Sequence, residues 1–289
     1  MSKRKDILDG TKISNLVKKY GLIYTCNCGW VDLGHLNPEN QRKEIGATNL
    51  WKQINTGGTK AFTYNPHLIP KHLFPLLFPF PLGGSPSLSL VLEEIPDEDK
   101  EIPYKFQDGK TGFLVHYRQD HAGYPLKPGR EGNYIVKHGL SMEQKKSVAL
   151  SIFMEVSKRF EDFQKFIGLG GLITDSGYSQ EDLVSNLIGF YIAVGEVNRL
   201  NILKKCHPVS DKAAFSIWDR DGAVGKNKNT DWKPKYADDV YIETDTQCKV
   251  ECAKQPKLFP NELQTIKPAT KKGLWYVELS PVLLNVLTI

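Results

Sequence analysis

Apolar residues recur at helical spacing most clearly between positions 142 and 167, where Val148, Ile152, Val156, Phe160, Phe163 and Ile167 form one stripe widened by Ala149 and Phe153. Ser141 followed three residues later by Gln144 has capping-box spacing, so the pattern predicts a helix over 142–166, stopped by Gly168, Gly170 and Gly171. Ser179-Gln180-Glu181-Asp182 is a second start signal. It opens a helix over 180–197 with Leu183, Leu187, Phe190, Tyr191 and Val194 facing inward. Asn37-Pro38 predicts a third, from about Pro38 to Ile54, with Ile45, Leu50 and Trp51 inward and Gly57-Gly58 at its end. Ahead of these, residues 1–23 read as a basic, weakly amphipathic lead-in.

Alternation marks the strands. Thr111–Arg118 places Phe113, Val115 and Tyr117 on one face, and Asn133–Lys137, Leu88–Ile95 and Trp275–Leu279 are shorter candidates. The stretch from Tyr24 to His35 reads as a buried strand that hands over to the Asn37-Pro38 helix. Residues 64–87 form a proline-rich, aromatic loop, either a wrap over the core or a lid or docking strap. From Cys206 onward the pattern breaks into short segments and turns. The expected architecture is α+β: two central amphipathic helices, 142–166 and 180–197, on a small mixed sheet, joined by long irregular segments. We read 1–289 as one domain, with 206–289 a loop-rich subregion wrapping back on the core.

Composition narrows the class without naming a function. The 289 residues are 40% hydrophobic and 25% charged, as expected of a chain that folds. The net charge of +5 is mild and its basic residues are dispersed, so nucleic acid is a disfavoured partner. No run approaches the ~18 apolar residues that span a bilayer. The longest apolar stretch, Leu68–Leu82, is interrupted by Pro70, Pro75, Pro79 and Pro81. The basic Met1–Lys5 is followed by no signal-peptide core, which predicts synthesis in the cytoplasm without a leader and leaves signal-independent export open.

Candidate chemistry concentrates in Cys26–His35, ten residues holding two thiols, a carboxylate and an imidazole beside Trp30, Val31 and Leu33. Asp32 and His35 fall on opposite faces if the segment is extended and converge if the chain turns at Gly34. A histidine that meets a carboxylate can act as a base or a metal ligand, or simply be a hydrogen-bonded strand end. On the first central helix, Glu155 and Arg159 flank the apolar stripe at i, i+4, as a surface pair or with Glu155 partly buried as an acid or base. Glu161 lies on the same helix, nearly opposite the apolar stripe. On the second, Asp182 suits the helix dipole, while Asn186 beside Leu183 and Leu187 must find partners for its amide.

The five cysteines leave an odd count, which argues against a secreted disulfide scaffold. Cys26 and Cys28 with Cys248 and Cys252 could be separate buried thiols, ligands of a structural Zn²⁺, or disulfides. A cysteine nucleophile has little support, because Cys28 leads into a strand rather than a helix N-terminus. No HExxH, P-loop or dinucleotide fingerprint is present.

Tyr24-Thr25-Cys26 with Gly29, then Asp32-Leu33-Gly34-His35, resembles the opening motif of a group of bacterial proteins of unknown function. In that group a helix bearing a Glu follows, then a serine-rich E-D-x-x-S-N-x-x-G segment; here these correspond to Glu161 and to Ser176–Gly189. Phe160 stands where the group has a His before the helix Glu. The resemblance implies a shared fold around these blocks and an enzyme site, with no known reaction. Together these readings predict a metal-assisted hydrolase of unknown substrate. His35 serves as metal ligand or base, Asp32 orients it, and Glu155, Glu161 or Asp182 supplies a second carboxylate near Asn186. The competing expectation is a non-catalytic bacterial cargo, effector or assembly component in which these residues are buried polar ties.

Overall fold

The computed structural model describes residues 2–16, 20–65, 101–120, 129–169, 177–237, 252, 257–270 and 273–279, except the side chains of 167–169. After short helical turns and α1 (Ile13–Leu16), the chain forms a tight antiparallel hairpin of β1 (Leu22–Thr25) and β2 (Gly29–Asp32), in register from Leu22 with Asp32 to Thr25 with Gly29. The Tyr24–His35 stretch is therefore a hairpin arm and a turn rather than one strand. Thr25 holds the reversal: its hydroxyl donates to the Gly29 carbonyl at 2.9 Å and accepts from the Cys28 N–H at 3.1 Å.

The helix expected from Pro38 begins nine residues later, as α2 (Ala47–Thr56). Residues 37–46 instead fold into turns. Gly46 precedes the helix at φ 87, a conformation a side chain would strain, and the Thr48 N–H donates to the Pro38 carbonyl at 3.0 Å. The Asn49 amide gathers the loop by donating to the carbonyls of Asn40, Arg42 and Ile45. Tertiary hydrogen bonding thus overrides the Asn-Pro start signal. β3 (Thr63–Tyr64) and β4 (Ile102–Pro103) make a second antiparallel pair. The Leu88–Ile95 strand and nearly all of the proline-rich loop lie outside the described residues.

β5 (Gly112–Asp120), β6 (Gly129–Lys137) and β7 (Tyr276–Leu279) form the largest sheet, in the order β5-β6-β7 with both pairings antiparallel. Among the described residues parallel pairing is confined to the isolated bridges Ile7–Leu22 and Ile45–Arg118. Phe113, Val115 and Tyr117 are buried as their alternation predicts. Over this face lies α3 (Met142–Leu169), opened by the Ser141/Gln144 capping box, both arms of which are formed. Val148, Ile152 and Val156 are fully buried in the same core. Each such side chain contributes roughly 1.5–3 kcal/mol, so the stripe sets the helix's rotation on the sheet.

The second central helix, α4 (Asp182–Ala193), is buried on every side from Asp182 to Tyr191. It runs between the hairpin and α2, the position its near-continuous hydrophobicity demands. α5 (Arg199–Lys205) and α6 (Asp211–Asp221) follow. α6 was not legible as a helix because its buried stripe is Ala213, Ala214 and Ile217, two of them small. Ser210 caps it by accepting from the Ala213 N–H. Described parts of the later chain return to the core: the Ile266 N–H donates to the Tyr191 hydroxyl, Ser151 donates to the Ala269 carbonyl, and β7 joins β6. The α+β class follows from this arrangement, and no described helix is long and apolar enough to cross a membrane.

The thiols are paired crosswise rather than gathered round one ion. Cys26 is disulfide-bonded to Cys252 and Cys28 to Cys206, each with Cα atoms 5.3 Å apart. Cys26 and Cys28, two positions apart in the hairpin turn, face different chain segments, and a disulfide sulfur has no thiolate charge to offer Zn²⁺. Cys248 lies outside the described residues. The bridges close sequence separations of 226 and 178 residues, so each should stabilise the fold by about 2–4 kcal/mol. Denatured, non-reduced protein is expected to show at most one reactive thiol per chain. Reduction is expected to lower the thermal midpoint; four or five free thiols before reduction would contradict the pairing.

Candidate active site

Asp32 ends β2 and is anchored to α4 through the backbone. Its N–H donates to the Ser185 hydroxyl at 2.9 Å, and that hydroxyl donates to the Glu181 carbonyl at 2.6 Å. The chain then turns at Gly34. One carboxylate oxygen of Asp32 accepts from the Gly34 N–H at 2.6 Å and, more loosely, from His35 N–H at 3.4 Å. The other lies 3.1 Å from His35 Nδ1. A single carboxylate thus makes the turn and orients the imidazole that the turn delivers.

Asp182 is divided in the same way. One oxygen accepts from the Ser179 N–H at 3.0 Å in the turn that leads into α4, and the other lies 3.6 Å from His35 Nδ1. Two carboxyl groups therefore face Nδ1 and favour a proton on it. The His35 side chain remains 40% exposed, whereas Asp182 is 6% exposed.

Glu161, from the last third of α3, is 1% exposed and accepts from the Tyr178 N–H at 2.7 Å. Tyr178 sits at φ 58, a left-handed conformation costly for a tyrosine, and its hydroxyl donates to Asp162 at 2.8 Å. Glu181 completes the group at 1% exposure. One oxygen accepts from the Ser2 hydroxyl at 3.2 Å and the other is buried without a partner.

Burial and mutual repulsion govern the proton balance. Burial raises Asp182 well above the usual carboxylate range, with Glu161 and Glu181 adding to the rise. Burial also raises Glu161, against the pull of the Tyr178 N–H and of His35, and pushes Glu181 up to about 7. For His35 burial acts downward, but Asp182, Asp32 and Glu161 outweigh it and hold the imidazole well above 6.5. Asp32 is lowered: burial opposes its charge, and His35 with the turn N–H groups overcomes that. Separate acid and base identities within one cluster are what proton-transfer chemistry requires.

Beside this cluster opens a cleft of about 150 Å³ lined by His35, Glu161 and Asn186 together with Tyr117, Gln119, Phe153 and Phe160. Residues 37–40 and 45–47 form its outer wall. α4 approaches that wall closely: a Cβ on Gly189 would lie 2.9 Å from the Leu36 carbonyl oxygen and 3.4 Å from that of His35.

The structure thus brings together Asp32, His35, Glu161, Asp182 and Asn186, drawn from the hairpin, α3 and α4. Glu155 is elsewhere: Arg159 pairs it with Glu278 of β7, and it does not line the cleft. Cys26 and Cys28 lie at the far end of the hairpin in disulfides, with Cys252. Among the described residues no group of three or more His, Cys, Asp or Glu side chains is arranged to hold a metal ion. Ser185 and Gln119 were not selected from the sequence, whereas Glu181 was a candidate beside Asp182 and Asn186. Glu181 has a full explanation as a helix-start residue, and Gln119, which donates to the Tyr117 hydroxyl and to Ser157, carries no signal beyond a strand end. Comparison with protein-family models, curated proteins and solved structures finds no match to this chain.

Two outcomes follow from the geometry. A carboxyl whose folded pKa is raised favours folding only while protonated, so the contribution of Glu181 declines as pH rises from about 4.5 through about 7. The His35 contribution is complete below 6.5 and is lost as pH rises through its higher folded value. Thermal stability should therefore peak on the acid side of neutrality and fall toward pH 8. Glu181→Gln should flatten that fall, by on the order of 1–3 kcal/mol at pH 8; parallel pH–Tm curves would refute it. Gly189→Ala should cost roughly 1–3 kcal/mol in urea melts by driving the His35 turn off α4.

Proposed function

We propose that the cleft is the active site of a hydrolase in which His35 and a buried carboxyl exchange protons with water and leaving group. The observation that carries this reading is the placement of His35. Its Nδ1 is held between Asp32 at 3.1 Å and Asp182 at 3.6 Å, while its other edge borders a cleft that also contains buried Glu161. Asp32, the ionised member of the cluster, positions the ring and keeps it charged in the resting state, Asp182 flanks it, and Glu161 is the carboxyl that takes a proton from water in the cleft. Ordinary structural histidines need one partner, and three surrounding acids are more than a structural tie requires. The blocks that resemble the bacterial group of unknown function meet here through residues 32–35 of the first and 179–189 of the second. This supports the reading without naming a reaction.

The test is a panel of chromogenic esters, anilides, glycosides and phosphate esters, assayed with and without added Zn²⁺ so that metal-assisted hydrolysis is sampled. Glu161→Gln and His35→Ala are expected to lower turnover of the accepted class by about 10²–10⁴-fold, the range of general acid–base catalysis. Glu161→Gln should leave the thermal midpoint unchanged or higher, since it removes a buried ionisable group. If both variants hydrolyse every substrate as the parent does, or nothing is hydrolysed and His35→Ala only destabilises, the non-catalytic reading replaces this one.

A further inference from the structure

Asn186 lies on α4 four residues after Asp182, so both project from one face of the helix. It is 9% exposed, lines the cleft, and its amide makes no hydrogen bond to any described residue. Neither polar atom of its side chain is among the buried atoms left without a partner, so the amide is open to the cleft rather than sealed in the core. A leucine there would instead extend the apolar face of Leu183 and Leu187. An amide set on an apolar helix face and open to a cleft is placed to meet a ligand.

We infer that the cleft takes a short, uncharged acyl group, of acetyl size and joined through an amide or ester, and that Asn186 donates from Nδ2 to its carbonyl oxygen. This rests on the hydrolase reading above. Charge excludes the anionic classes: the lining includes Glu39, Asp120 and Glu161 but no Lys or Arg, so a phosphate or carboxylate would meet acids with only His35 to offset them. The Asp120 carboxylate is itself held by Arg42 at 2.9 Å. Glycosides are disfavoured because positive charge develops on the sugar during cleavage, whereas an amide N–H and an imidazolium stabilise negative charge. Size sets the acyl length, since about 150 Å³ is well below the roughly 300–1,000 Å³ of pockets for drug-sized ligands. Phe153, Phe160 and Ile45 supply an apolar wall for a methyl group.

In the reaction, the oxygen of a water forms a bond to the carbonyl carbon as its proton passes to the Glu161 carboxylate. The carbonyl oxygen becomes an oxyanion facing the Asn186 amide. The carbon–nitrogen or carbon–oxygen ester bond then breaks, the His35 imidazolium protonates the departing amine or alcohol, and the acid is released. The proton on Glu161 returns to His35, which restores the starting state.

The experiment compares the full chain with Asn186→Ala on p-nitrophenyl acetate and p-nitroacetanilide, with p-nitrophenyl phosphate and a p-nitrophenyl glycoside as the other classes. Acetyl compounds should be hydrolysed in a His35- and Glu161-dependent manner. Asn186→Ala should lower kcat by about 10²–10³-fold, the effect of removing one oxyanion donor, with KM changed much less. Phosphate or glycoside turnover that needs His35 and Glu161 but not Asn186 would overturn this inference and leave the hydrolase reading standing. If no class is turned over, the hydrolase reading falls and binding decides the inference. The Asn186 side-chain amide resonance of the Glu161→Gln protein should then shift with acetamide and not with inorganic phosphate. Absence of a shift at acetamide on the order of 100 mM overturns it.

Discussion

The docking of the β2 end onto the start of α4 is the contact on which the candidate site depends. It is small: an N–H on Ser185, that hydroxyl on the Glu181 carbonyl, and an imidazole between two carboxylates. Each carboxylate in it has a backbone task as well as an electrostatic one. Asp32 makes the turn at Gly34 and Asp182 holds the turn at Ser179, so neither can move without unmaking local structure. Rotamers fixed in this way hold His35 more firmly than a surface ion pair could, since exposed pairs contribute little and are easily lost.

The cluster is expensive for a fold to keep. Glu161, Glu181 and Asp182 are each at most 4% exposed, and His35 is the basic group between them and Asp32. Backbone N–H donors from Gly34, Tyr178 and Ser179 offset part of the desolvation, and the remainder is relieved by keeping carboxyls protonated. A core built for stability alone would place leucines at such positions. Elsewhere α3 and the β5–β6 face pack mainly through aliphatic and aromatic side chains. The disulfides act on the same hairpin from its other end, fastening its turn to Cys206 and Cys252 while the Asp32 end is held by α4.

Much of the fold was legible because its signals are local. The α3 stripe and its capping box, the alternation in β5, and the Ser179–Asp182 start of α4 each lie within a few residues of what they specify. The Pro38 helix start failed because Gly46 and the Asn49 amide hold residues 37–46 in turns that form the cleft wall, a tertiary demand outweighing a local preference. Among the site residues, Asp32 and His35 stood out by spacing around a glycine. Asn186 stood out as a polar side chain on an apolar helix face. Glu155 reads as the more eligible of the two, because Glu161 lies nearly opposite the apolar stripe of its helix, and the neighbours reverse that order: Arg159 and Glu278 hold the first, while Tyr178 and the cleft cover the second and leave it 1% exposed.

Residue order by itself determined the α+β class, the two central helices with their starts, and the short segment where reactive groups gather. Each of those depends on periodicity, capping and turn chemistry, which act over a few bonds. Folding in three dimensions decided the rest: which carboxylates reach His35, which cysteines meet, and that residues near 35 and 186 share one cavity. Those outcomes depend on burial and on distances between segments some 150 positions apart, as with the 153 residues separating Asp32 from Ser185. The energy of a charge or a thiol is set by what surrounds it, and no reading of a chain one residue after another contains that surrounding.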